Sequence, residues 1–201
     1  MIAAVIPAAG KSTRMGRPKL ALPLGGRTVL ERVVNALKAA AVDPILVVLA
    51  PHVADLADMA RQAGAIVLVL EHETADMRAT VEHGLLWLEE QYSPAPTDQW
   101  LLIPADHPTL DSAIIRELVQ ARSTHPEHSI VVPTFQGKRG HPTLIDWKHV
   151  AGLRALPADL GINSYLRAYQ EETLELAMTT EDVLLDLDTP EDYRRSKLDY
   201  W

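Results

Sequence analysis

Four cations, Lys11, Arg14, Arg17 and Lys19, crowd one stretch near the start of the chain, Pro7-Ala8-Ala9-Gly10-Lys11-Ser12-Thr13-Arg14-Met15-Gly16-Arg17-Pro18-Lys19. Among them stand the small residues Ala8, Ala9, Gly10 and Ser12. Small side chains let backbone N–H groups approach a polyphosphate closely, and the cations answer its charge. The letters Gly10-Lys11-Ser12-Thr13 also close the phosphate loop of many ATPases. That loop needs a glycine five positions before its Gly-Lys pair and a helix directly after it. Val5 stands at the first place, and Gly16 and Pro18 break a helix within two turns. A P-loop ATPase is excluded. A different phosphate cradle and a plain solvated basic loop both stay open.

Two acidic positions complement these cations. Asp106 follows the apolar run Trp100-Leu101-Leu102-Ile103-Pro104, and Asp188 follows Val183 to Leu187. Acids at the carboxyl ends of strands lie where open α/β sheets keep their ligands. One or two carboxylates with substrate phosphates are also the usual holders of magnesium. Each has a plainer reading: Asp106 sits in a turn with Pro108, and Asp188 precedes the helix start Thr189-Pro190-Glu191-Asp192. His52, His72, His83, His107, His125, His128 and His149 show no metal-ligand spacing on one helix. No cysteine is present, so disulfides, zinc–thiolate sites and cysteine nucleophiles are excluded.

The elements that must position these groups are legible as apolar runs. Ile2 to Ile6, Pro44 to Ala50, Ile66 to Leu70 and Trp100 to Pro104 are apolar throughout, as strands buried on both faces of a parallel sheet are. Between them, Thr28-Val29-Leu30-Glu31 opens a helix with a capping box, and 53–63, 77–91 and 111–122 continue the helical set. This alternation predicts a doubly wound α/β fold. Beyond residue 128, strands at 130–135 and 142–145 flank the turn 136–140, with a helix over 163–171 and strands at 173–178 and 183–187. This half reads as a small antiparallel extension of one domain spanning 1–201.

Hydrophobic residues at 47% and charged residues at 23% are ordinary for a folded globular chain and argue against disorder. A net charge of −8 disfavours nucleic acid as a partner. The apolar start is too short for a membrane span or a leader peptide, so a cytoplasmic location is expected. The closing aromatics, Tyr200 and Trp201, are expected to dock on the body of the protein.

The ordered stretch from Pro7 to Lys19 resembles the signature of the MobA-like nucleotidyltransferases, and Ala9 and Pro18 are similar to its molybdopterin cytidylyltransferase branch. Four further segments resemble family motifs: Ala75 to Gly84, Pro104-Ala105-Asp106-His107-Pro108, Gln136 to Pro142 and Asp186 to Asp192. The resemblance implies a Rossmann-like, GT-A-like fold and a transfer in which a phosphate of the acceptor attacks the α-phosphorus of an NTP and releases pyrophosphate. It implies Lys19, Arg14 and Asp106 as catalytic residues. It implies a nucleotide site of Ala8, Ala9, Gly10, Ser12, Arg14, Gly16, Lys19 and Thr80, with CTP favoured. Mg2+ would be held by Asp106 and Asp188. A phosphorylated small molecule, molybdopterin in this branch, would meet Arg139, His141 and Asp159. Transient contact with a molybdoenzyme or its chaperone is implied as well. The chain departs from the family pattern at Asn163, where an arginine is usual, and at His107, where methionine or glutamine is common.

Overall fold

The computed structural model describes residues 1–200. Trp201 and the side chains of 198–200 lie outside that description, and with them the docking expected of the closing aromatics. The first strand, β1 (Ile2–Ala8), sits inside the sheet. Its pleat sends Ala4, Ile6 and Ala8 to one face and Ala3 and Val5 to the other, and both faces are covered. The next pieces are a short hairpin, β2 (Pro23–Leu24) with β3 (Arg27–Thr28), and helix α1 (Val29–Ala39). The expected capping box is present: Thr28 N donates to Glu31 Oε2 at 2.6 Å, and Glu31 N donates to Thr28 Oγ1 at 3.3 Å.

Strand β4 (Ile45–Leu49), helix α2 (Ala57–Ala63), strand β5 (Ile66–Val69), helix α3 (Met77–Tyr92), strand β6 (Gln99–Leu102) and helix α4 (Ser112–Thr124) complete the alternating half. The segment expected to be helical from residue 53 begins instead as 3-10 turns over Pro51–Leu56, with Val53 in a non-helical conformation. In the second half come β7 (Ile130–Phe135), β8 (Lys138–Arg139), β9 (Thr143–Asp146), α5 (Val150–Arg154), α6 (Ile162–Ala168), β10 (Thr173–Ala177) and α7 (Pro190–Tyr200).

The main sheet runs β10-β7-β9-β6-β1-β4-β5, with β8 paired to β7. Pairs β1–β4, β4–β5, β1–β6 and β7–β10 are parallel; β9 is antiparallel to both β6 and β7. The antiparallel piece is therefore inserted within the sheet. Helices α1, α2 and α4 cover one face, and α3, α5 and α6 cover the other. Chain order reverses between β1 and β6, which opens a crevice at their carboxyl ends.

One expectation is corrected here. Residues 183–187 form no strand: Glu181–Leu184 is a 3-10 helix, capped by Thr180 Oγ1, which accepts from Asp182 N at 3.3 Å. The apolar side chains face the core, with Val183 and Leu187 buried. The backbone, however, crosses the strand ends. Val183 O accepts from His141 N at 2.8 Å, and Leu187 N donates to Asp106 O at 2.9 Å. The helix expected over 163–171 also stops early, at Ala168, and a 3-10 turn follows at Gln170–Glu172.

Candidate functional site

Directly beyond β1 the chain enters no α-helix, in keeping with the exclusion of a P-loop. Two 3-10 turns, Thr13–Met15 and Lys19–Ala21, carry it to Leu22. Ser12 (φ 50°) and Gly16 (φ 66°) adopt left-handed conformations on either side of the first turn. Ser12 Oγ accepts from Lys19 N at 3.3 Å, closing the loop on itself, and buried Met15 anchors it to the core. Nothing lies within 4 Å of where a side chain on Gly10 would begin, so its surface is open to an incoming group.

Lys19 is thereby turned toward the crevice. Its Nζ lies 2.5 Å from Asp106 Oδ2 and 3.0 Å from Asp188 Oδ1. Arg14 Nη2 lies 2.8 Å from the other Asp188 oxygen. The structure thus brings together the three residues read as catalytic and the second acid in one cluster of two cations and two anions. Burial pulls the Lys19 pKa down, but the charges and hydrogen bonds of Asp106 and Asp188 outweigh it and hold the ammonium above its usual value. Asp106 follows β6, and the loop beyond it is held from below by Arg32, whose Nε donates to Pro108 O at 3.1 Å.

Two cavities meet at Asp106. The first, of about 370 Å³, is walled by Ala8, Ala9, Gly10, Lys11 and Lys19, by Thr74 to Met77 with Thr80, and by Asp106. Asp76 caps α3 by accepting from Ala79 N at 2.8 Å, and the buried Thr80 hydroxyl meets Thr74 Oγ1 at 2.6 Å. Gly84, one turn on, lets α3 lie against Val48 and Val5, which a Cβ there would strike. The second cavity, of about 330 Å³, is lined by Asp106, His107, Arg139, His141, Asp186 and Asp188. The ring centroids of His107 and His141 are 5.2 Å apart at 74°. Burial lowers the pKa of both imidazoles, that of His141 to about 4, where the neighbouring His107 pushes it further. Arg139 is tied to Glu175 at 2.7 Å on the rim.

Asp159 is not brought in. It is exposed on the loop 156–160, which Arg78 grips through the carbonyls of Leu156, Pro157 and Leu160 at 2.6–2.8 Å. Arg78, His107 and Asp186 stand in segments that the sequence singles out, but the sequence assigns them no part in the site. His107 carried a signal in its departure from the family pattern; Arg78 carried none, since its partners lie about eighty residues away in the chain.

The residues fit a hard divalent cation. Two carboxylates from separate loops converge on one positive charge, with Lys19 standing where a cation belongs. Among the described residues no three His, Cys, Asp or Glu side chains are grouped to hold a metal alone. A divalent ion held by these two carboxylates would take its remaining ligands from substrate oxygens and water, as magnesium and manganese commonly do.

A twisted, mostly parallel sheet with this crevice and cluster is that of a Rossmann-like nucleotidyltransferase. The chain belongs to the MobA-like NTP transferase domain family, which matches residues 4–173. It is 26% identical over 198 residues to molybdenum cofactor cytidylyltransferase of Escherichia coli (strain K12), covering 98% of this chain and 95% of that protein. The structure of Rv0371c of Mycobacterium tuberculosis H37Rv, in complex with manganese, is similar at a TM-score of 0.75 and 26% identity, covering 98% of each chain. A nucleotidyl transferase from Methanothermobacter thermautotroptrophicus shares the fold at a TM-score of 0.79 and 20% identity, over 98% of this chain and 96% of its own. No helix among the described residues is long and apolar enough to cross a membrane.

Proposed function

We propose that this nucleotidyltransferase moves CMP from CTP to a phosphorylated acceptor, molybdopterin in its cofactor form, with release of pyrophosphate. The observation that carries this reading is the meeting of Lys19, Arg14, Asp106 and Asp188 where the two cavities join. The loop from Ala8 to Gly16 receives the β- and γ-phosphates on its backbone amides, with Arg14 beside them. Lys19 sits against the α-phosphate and stabilises the charge that builds there during transfer. Thr80 helps to close the nucleotide side. Asp106 and Asp188 hold Mg2+, which neutralises phosphate charge when bound. Arg139 and His141 take the acceptor, so that its phosphate oxygen and the α-phosphorus face one another across Asp106, a gain chiefly of positioning. Asp159, on its exposed loop, is proposed for the acceptor only on the family resemblance. Transfer onto molybdopterin, in the cytoplasm, would be followed by transient contact with a molybdoenzyme or its chaperone.

The similarity to the cytidylyltransferase of the molybdenum cofactor, together with Ala9 and Pro18 in the loop, supports CTP and this acceptor. The test is transfer of label from α-phosphate-labelled CTP, GTP, UTP and ATP, each with Mg2+ and with molybdenum cofactor as acceptor. CTP-dependent labelling with matching pyrophosphate release is expected. Preference for GTP or UTP, or labelling only of a sugar phosphate, would replace the base or the acceptor while keeping the reaction class.

A further inference from the structure

The four charged groups at the crevice satisfy one another. Lys19 spans both carboxylates, Arg14 takes the remaining oxygen of Asp188, and the set is neutral. Lys19, Asp106 and Asp188 expose only 13%, 19% and 25% of their side chains, so their contacts are partly shielded from water, whereas Arg14 is 71% exposed. A bare divalent cation arriving here meets carboxylates already neutralised, and an ammonium that repels it. A bare triphosphate meets cations already engaged. Lys11, on the wall of the first cavity, has no carboxylate partner among the described residues and is free to receive a phosphate first.

We propose that Lys19 is a resident counter-ion that keeps Asp106 and Asp188 closed to free metal and yields them only when a triphosphate takes over its ammonium. Metal and nucleotide are then admitted as a pair. The carboxylates pass from ammonium to metal as the ammonium passes from carboxylates to phosphate. No covalent bond is made or broken in this exchange: hydrogen bonds from Lys19 to the carboxylates give way to metal–carboxylate coordination, and the charge stays paired throughout. Reciprocity follows: whatever factor nucleotide adds to metal affinity, metal adds to nucleotide affinity. The inference rests on the proposed metal role of Asp106 and Asp188.

The experiment is titration of Mn2+ without nucleotide, read by the electron paramagnetic resonance of the free ion, for the wild type, Lys19→Met, Lys19→Arg, Arg14→Met, Arg17→Met and Asp106→Asn. Lys19→Met is expected to bind Mn2+ about 5- to 150-fold more tightly than the wild type, the range ordinary for coupled sites. Lys19→Arg keeps a counter-ion and should bind as the wild type does. Arg14→Met, at an exposed position that tolerates change, should show a smaller gain. Arg17 stacks on Tyr193 with its guanidinium 5.4 Å from the ring centre, so Arg17→Met controls for loss of a charge that touches neither carboxylate. Equal affinity in wild type and Lys19→Met, or an equal gain in Arg17→Met, would overturn the counter-ion role while leaving the metal site standing. Binding unaffected by Asp106→Asn, or undetectable in every variant, would overturn both.

Discussion

The cavity on one side of Asp106 has a floor of small residues, Ala8, Ala9 and Gly10, beside Lys11 and Lys19, whereas the cavity on the other side is lined by imidazoles, carboxylates and Arg139. The first hangs on parallel strands β1 and β6 and the start of α3; the second hangs on the antiparallel strands β8 and β9 and a segment that crosses them. The difference fits the partners proposed for them, a polyphosphate on the first side and an acceptor on the second. A polyphosphate is the same in every nucleotide and can be held by N–H groups that any sequence supplies, provided the side chains stay small. An acceptor differs from enzyme to enzyme and has to be met by particular side chains.

The largest effect expected from breaking this division is at the point both cavities share. Lys19→Ala should lower turnover about 100- to 1,000-fold, the usual cost of removing a group aimed at developing charge. A melting temperature shifted by only a few degrees would show that the loss lies in chemistry. Turnover within threefold of wild type would remove Lys19 from the reaction.

The next effect belongs to the imidazole side. His141 titrates at about 4 in the fold against 6.5 when free, so the unfolded chain binds the proton first. Its stabilising contribution is complete above pH 6.5 and is lost as pH falls toward 4, to the extent of about 3 kcal/mol. His107, lowered by burial too, acts in the same direction. Denaturant melts of wild type and His141→Asn at pH 7 and pH 4 should converge in the variant; an unchanged acid loss would assign it to other groups.

A further effect separates the cavities by geometry. A Cβ on Gly140 would strike the Val183 carbonyl, so Gly140→Ala must push the crossing segment away from the strand ends. The expected cost is about 1–3 kcal/mol of stability. Turnover should fall as Asp188 moves, while binding of metal-free CTP, measured by calorimetry, should not weaken, since Arg14 and Lys19 lose a competing carboxylate. The smallest effect is Arg139→Ala. Its rim pair with Glu175 contributes less than about 1 kcal/mol, so stability should hold while the KM for the acceptor rises and the KM for the nucleotide does not.

The two sides were unequally legible before any coordinates. Ala8 to Lys19 are contiguous, and Val5, Gly16 and Pro18 alone excluded a P-loop, as the pair of 3-10 turns bears out. Asp106 was placed by the apolar run before it. The crossing segment misled because Val183, Leu184, Leu185 and Leu187 are as apolar as a strand, and periodicity reports burial without reporting partners. His107 lies beside a position that was read, yet its meeting with His141 depends on where β9 inserts, between β6 and β7. Arg78 became visible only through three carbonyls of the distant loop that includes Asp159.

The bond from Lys19 to Asp188 joins positions 169 residues apart. Synthesis starts at the N-terminal end, so the loop from Ala8 to Lys19 leaves the ribosome while Asp188, the partner of its lysine, is still unmade. A nascent chain, or a fragment that stops before residue 181, carries the cradle and Asp106 without the second carboxylate. Completion of the cluster is therefore timed by translation: Lys19, Arg14 and Asp106 are made first, and Asp188, which ties both cations together, is the last of its parts to be delivered.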